Sequence, residues 1–183
     1  MLLAGMMQAG YSGYRRGRKM MTKFEPHILR LPPMTVASAH AFGENPEREA
    51  WKKMEAWAGP LGLLDDVEAH PVFGFNNPNP SPGSREYGYE FWIAVDPGTE
   101  LGAGIKQKSH QGGVYAVTSC RLMDEIQSPF FQREGHLESW KKLVDWAEAN
   151  QIKRGGHQAL EKPHDPRASE EDLVLDLYLP IIQ

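Results

Sequence analysis

Residues 50–58 (Ala-Trp-Lys-Lys-Met-Glu-Ala-Trp-Ala) and 139–147 (Ser-Trp-Lys-Lys-Leu-Val-Asp-Trp-Ala) match at five of nine positions, both tryptophans included, at a separation of 89 residues. Each segment also carries apolar residues at the three- and four-residue spacing of an amphipathic helix. A duplicated helix restricts the fold to architectures built from two copies of one supersecondary unit.

The flanking sequence supplies the rest of that unit. Met34-Thr35-Val36-Ala37-Ser38 reads as a strand. Asn45-Pro46-Glu47 then opens a helix with an N-cap residue, a proline at the first helical position and early acids, and Gly59-Pro60 closes it. Strands follow near 71–75 and 86–95, separated by the Asn-, Pro-, Ser- and Gly-rich loop 76–83. The pattern recurs with a strand over 114–119, a helix over 136–150, a weak strand at 157–161, a polar loop and a final strand over 173–182. The expected fold is therefore α+β: two β-α-β-β units sharing one antiparallel sheet, with both helices on one face and a ligand groove on the other. Repeat one spans 24–97, a linker 98–104, and repeat two 105–183.

Charge separates the first 23 residues from the rest. Arg15, Arg16, Arg18, Lys19 and Lys23 lie there without an acid, so a disordered basic tail is expected. All 24 acidic side chains lie beyond it. So acidic a body disfavours phosphate-backbone binding, which requires clustered Lys and Arg, and no direct nucleic-acid partner is expected. No apolar run approaches the roughly 20 residues of a membrane helix, and a lone Cys120 allows no internal disulfide. A cytoplasmic protein without a membrane partner is the expectation.

Strand alternation nominates the binding residues. In the last strand Leu173, Leu175, Leu177, Leu179 and Ile181 form one apolar row, leaving Val174, Asp176, Tyr178 and Pro180 on the other face. In the matching strand Tyr87, Tyr89, Phe91, Ile93 and Val95 form the row, with Gly88, Glu90, Trp92 and Ala94 opposite. Each half thus offers a carboxylate and, two residues later, an aromatic: Glu90 with Trp92, and Asp176 with Tyr178. Aromatic faces attract cations and a desolvated carboxylate supplies counter-charge, so these four are the candidate ligand-binding residues for an organic cation. Two acids in one groove would also raise each other's pKa. The bland alternative is a solvated sheet face. The seven histidines show no metal-ligand spacing, Gly102-Ala103-Gly104 lacks the context of a phosphate loop, and no cofactor is expected. Core packing is the expected role of the repeated tryptophans, with Trp51 and Trp140 also placed to reach a groove rim.

Gly112-Gly113-Val114-Tyr115-Ala116-Val117, the helix from Trp140 to Trp146 and the ending Asp176-Leu177-Tyr178-Leu179-Pro180-Ile181 together resemble the GyrI-like family, the bacterial effector-binding domains of multidrug-responsive regulators. The resemblance runs from about residue 24 to the end. It implies a duplicated fold whose groove binds bulky, often cationic small molecules, met by an acid near the final strand. Asp176 stands where relatives often carry glutamate, and Trp92 where small residues are common. Too few residues precede the domain for a helix-turn-helix, so the resemblance implies a stand-alone module that sequesters or senses hydrophobic cations. Two alternatives follow from relatives: hydrolysis of strained electrophiles through a groove carboxylate, with Glu90 the better base on reach, and a gyrase-modulating protein-interaction module. Exposed sheet edges also allow a homodimer.

Overall fold

In the computed structural model, residues 23–134 and 136–182 are described; apart from Lys23, the expected basic tail lies outside them. In chain order the elements are β1 (His27–Leu31), β2 (Met34–Gly43), α1 (Pro46–Ala58), β3 (Val72–Asn76), β4 (Tyr87–Ala94), β5 (Ile105–His110), β6 (Gly113–Arg121), α2 (Leu122–Ile126), α3 (Pro129–Glu134), α4 (Glu138–Ala149), β7 (Lys153–Arg154), β8 (Leu160–Pro163) and β9 (Val174–Ile182). The nine strands form one sheet, ordered β1-β6-β9-β8-β3-β4-β2-β5 with β7 paired to β9, and each pairing is antiparallel. The expected α+β class with an antiparallel sheet is what forms.

The order is symmetric about the β3–β8 junction, with β4 and β2 on one side answered by β9 and β6 on the other. Each edge strand belongs in space to the half it does not neighbour in sequence. β1 precedes β2 but pairs with β6, and β5 precedes β6 but pairs with β2. Neither strand was expected. β1 is a five-residue segment, and β5 (Ile-Lys-Gln-Lys-Ser-His) carries the lysines typical of an exposed sheet edge rather than an apolar pattern.

These exchanges roll the sheet. β1 and β2 stand six strand spacings apart, about 29 Å across a flat sheet at ~4.8 Å per strand. Leu31 and Met34 are nevertheless joined by Pro32-Pro33 alone, a link that spans at most about 11 Å. The same limit applies to His110 and Gly113 across β5 and β6. Only a curled sheet brings its ends within reach of both links. The links meet at Gly112, whose φ of +73° and missing Cβ allow it to lie against Leu31 O and the Pro32-Pro33 backbone.

Helices cover the outside of the roll. Pro46, followed by Glu47 and Glu49 in the first turn, starts α1, whereas Asn45 makes no side-chain cap bond. Ala50, Met54 and Ala58, four residues apart, bury against Ala37, Ala39, Phe91 and Ile93, with Trp51 and Trp57 packed alongside. Leu143 and Ala147 of α4 bury against Ala116, Leu175, Leu177 and Leu179. The short helix α2 places Glu125 where it accepts hydrogen bonds from Ser139 N (3.1 Å) and Ser139 Oγ (2.5 Å), which satisfies the first turn of α4 in place of a local cap. Each fully buried leucine here contributes about 1.5–3 kcal/mol of transfer free energy.

The other face is the inside of the roll. Val36, Phe73, Phe75, Trp92, Tyr115, Val117, Leu160 and Tyr178 form a third apolar cluster there, joined by Leu29, Leu31 and Met34. Rings meet across the seam, with His110 of β5 6.4 Å from Tyr115 of β6 between ring centroids. Where an open groove was expected, the closure of the sheet leaves packed aromatic rings.

Candidate functional site

Alternation sorted the faces correctly. Tyr89, Phe91 and Ile93 lie under α1, and Leu175, Leu177, Leu179 and Ile181 under α4, while Trp92 and Tyr178 belong to the inner cluster. Antiparallel register places Glu90 beside Phe75 and Tyr178 beside Leu160, and Trp92 beside Phe73 and Asp176 beside Lys162. Continued through the Gly74–Glu161 pair, the rows run Glu90–Phe75–Leu160–Tyr178 and Trp92–Phe73–Lys162–Asp176. Each acid therefore shares a row with the other half's aromatic residue.

Inside the roll Glu90 is 1% exposed and fully engaged. Its Oε1 accepts Ser38 Oγ (2.6 Å), Trp92 Nε1 (2.5 Å) and Lys108 Nζ (2.5 Å), and its Oε2 accepts Asn77 Nδ2 (2.7 Å). Burial pushes its pKa up, but the hydrogen bonds from Lys108, Ser38, Asn77 and Trp92 outweigh it and hold the carboxyl below its ordinary value. The expected mutual elevation of two groove acids does not apply to Glu90, nor does its assignment as a far-reaching base. Trp92 spends its N–H on Glu90 and packs edge-on against Phe75 at 4.6 Å. Tyr178 is buried between Phe73 and Tyr115, at 5.9 and 5.6 Å. Asp176, with an 18% exposed side chain, accepts Ser119 Oγ at 2.6 Å and lies 2.7 Å from His164 Nε2.

A cavity opens on the helix side instead, at the junction of the halves. Glu47 and Trp51 of α1, Tyr89 and Phe91 of β4, Glu161 and Pro163 of β8, Leu175 of β9 and the preceding loop residues Pro166, Ala168, Glu170 and Leu173 line it. The cavity holds about 100 Å³, below the ~300–1,000 Å³ of enclosed small-molecule sites, and it opens to solvent at its mouth. None of Glu90, Trp92, Asp176 and Tyr178 lines it.

Glu161, buried on the outward face of β8, is held from both halves. Tyr89 Oη donates to its Oε2 at 2.8 Å, and Trp140 Nε1 lies 3.3 Å from its Oε1. The tyrosine must cross β3 to do so, and Gly74 permits the crossing: a Cβ there would stand 2.4 Å from Tyr89 Oη. Glu47 accepts Tyr87 Oη at 2.5 Å through Oε1. Burial raises the Glu47 pKa to about 6, against the opposing Tyr87 hydrogen bond, and the nearby Glu161 charge adds to the rise. Burial and Glu161 likewise push the Tyr89 phenol up, so it remains a donor. Among the described residues, the cavity is thus lined by aromatic and aliphatic surface and three carboxyl groups, with no Lys, Arg or His.

The loop wall is tied to the opposite half. Arg167 donates from Nη1 to Asp65 Oδ1 and from Nη2 to Leu64 O, both at 2.9 Å, fixing the segment that carries Pro166, Ala168 and Glu170. The repeated tryptophans pack against the helix-side core as expected, and two of them also meet the site: Trp51 lines the cavity, 5.2 Å from the Phe91 ring, and Trp140 reaches Glu161. Glu47 lies one turn before Trp51 on the same helix face, outside the repeated segment. Among the described residues, no group of three His, Cys, Asp or Glu could hold a metal ion, and no helix is long and apolar enough to cross a membrane.

The fold recurs in solved structures. An integron cassette protein from the mobile metagenome of Vibrio cholerae superposes with a TM-score of 0.51 at 13% identity, over 87% of this chain and 97% of that one. A hydrolase from Listeria innocua gives 0.59 at 13% identity, over 88% and 93%. The protein SAV2435, solved bound to tetraphenylphosphonium, gives 0.50 at 11% identity, over 86% and 94%. No curated protein matches the sequence. The pattern of the family described as integron-associated effector binding protein matches residues 27–181, and the chain belongs to that family.

Proposed function

We propose that this protein binds bulky hydrophobic cations in the cavity between α1, β8 and the loop before β9, for sequestration or sensing. The observation that carries the reading is the composition of the cavity wall among the described residues: Trp51, Tyr89 and Phe91 beside Glu47, Glu161 and Glu170. Buried carboxylates in a site of reduced dielectric attract a cation, and ring faces attract it further. A tetraphenylphosphonium complex of a structural neighbour is consistent with that ligand class. The test is a titration with tetraphenylphosphonium, followed by tryptophan fluorescence. Saturable binding is expected, weakened about tenfold or more by Glu161→Gln, the loss of one desolvated charge contact. Binding that survives this change and disappears in Asp176→Asn would return the site to the other side of the sheet.

A second reading, a hydrolase of strained electrophiles, is favoured by one observation: Glu47, with a pKa near 6, shares the cavity with Glu161, an arrangement suited to proton transfer near neutral pH. Consumption of a cyclopropane-bearing electrophile by the protein, lost in Glu161→Gln, would support it, and unchanged substrate after long incubation would remove it.

A further inference from the structure

Glu47 has a chemical peculiarity that cation binding alone does not use. The residue is 1% exposed, and its Oε2 is buried with no hydrogen-bond partner, although Oε1 is held by Tyr87. A buried carboxylate oxygen without a donor is costly, and a native fold retains one mainly where a partner arrives from elsewhere. Glu47 lines the cavity, and among the described residues the titratable groups around it are Tyr87, Tyr89 and Glu161, of which the tyrosines already donate to carboxylates. Among the described residues, then, a fixed acceptor stands without a donor, in a wall that contains no basic side chain.

We infer that Glu47 is a specificity residue reserved for an N–H donor, so that the preferred ligands are protonated amines, amidines or guanidines attached to an aromatic body. This deepens the proposed cation site and rests on it. Glu161 would meet the charge of any cation, quaternary ones included. Glu47 distinguishes those that can also donate a hydrogen bond. Because burial holds the Glu47 carboxyl pKa near 6, an N–H cation that satisfies Oε2 also favours its ionised form, and binding at that pH releases a proton.

The experiment compares two probes of equal body, 4-phenylbenzylammonium and its N,N,N-trimethyl counterpart, by calorimetric titration of the full chain at pH 8 and at pH 6. Expected at pH 8 is a preference of about tenfold or more for the primary ammonium, the worth of one charge-assisted hydrogen bond. Glu47→Gln, which keeps an acceptor for Tyr87, should shrink that preference to about twofold or less. Glu161→Gln should weaken both probes in similar proportion. At pH 6 only the primary ammonium should release protons, read from the dependence of the binding heat on buffer ionisation. A preference unchanged by Glu47→Gln, or equal proton release by both probes, overturns the role of Glu47 and leaves the cation site standing. Absence of binding by either probe removes both readings. If Glu47→Gln does not fold, Glu47→Asp serves instead: withdrawing the carboxylate should also reduce the preference, and an unaltered preference overturns the inference.

Discussion

Removing the Lys108 charge should destabilise the protein in a pH-dependent way, because Glu90 carries its charge almost completely buried. Lys108→Met keeps the length and apolar stem of the side chain but deletes the ammonium 2.5 Å from Glu90 Oε1. Breaking a buried ion pair costs about 3–5 kcal/mol. Two features reduce that here. The Lys108 side chain is 39% exposed, so water screens the pair, and Ser38, Asn77 and Trp92 continue to donate. About 2 kcal/mol remains, and for a chain of this size that lowers Tm by about 4–8 °C. The folded pKa of Glu90 is depressed, so its contribution is present above the ordinary carboxylate range and is lost as pH falls through the folded value. In the variant, burial should dominate and lift that pKa, so the gap between variant and wild type is largest at pH 7, narrows as the variant's carboxyl protonates, and closes only below the depressed wild-type value. The assay is thermal unfolding by circular dichroism across that range. A Tm change below about 1 °C at pH 7, or a gap that does not vary with pH, would refute the assignment of Glu90 as a charged structural anchor.

Two other outcomes follow from the packing. Gly74→Ala places a methyl 2.4 Å from Tyr89 Oη, forcing the ring off Glu161; a loss of about 1–3 kcal/mol in urea unfolding is expected, together with weaker ligand binding. Cys120 is buried, and burial, with smaller contributions from Glu125, Glu161 and Asp176, raises its pKa well above the ordinary thiol value, so it should react with a thiol-disulfide reagent only after denaturant is added.

Local patterns in the sequence were sufficient for much of the fold. Period-two alternation assigned both faces of β4 and β9, Asn45-Pro46-Glu47 and Gly59-Pro60 bounded α1, and the helix expected over 136–150 matches α4 to within two residues at each end. The inside of the roll was not legible, because it depends on which strands pair across about 66 to 90 positions. Pro32-Pro33 and Gln111-Gly112 look like ordinary turns until β1 is known to sit beside β6 and β5 beside β2. A flat sheet was therefore the natural expectation, and it made the face bearing Glu90, Trp92 and Tyr178 look open. The candidate site suffered from the same limit. Glu161 belongs to a four-residue strand with no apolar alternation, and Glu47 reads as a helix-opening acid; only tertiary structure brings them into one cavity. Of the repeated tryptophans, Trp51 lines the cavity and Trp140 bonds Glu161, contacts that the helical spacing alone does not reveal.

The central claim is most directly tested by a crystal structure of the protein with tetraphenylphosphonium. The expected density lies between Trp51, Phe91 and Glu161, under the loop that Arg167 ties to Leu64 and Asp65. Density inside the rolled sheet against Glu90, Trp92 and Tyr178, with the outer cavity empty, would contradict it.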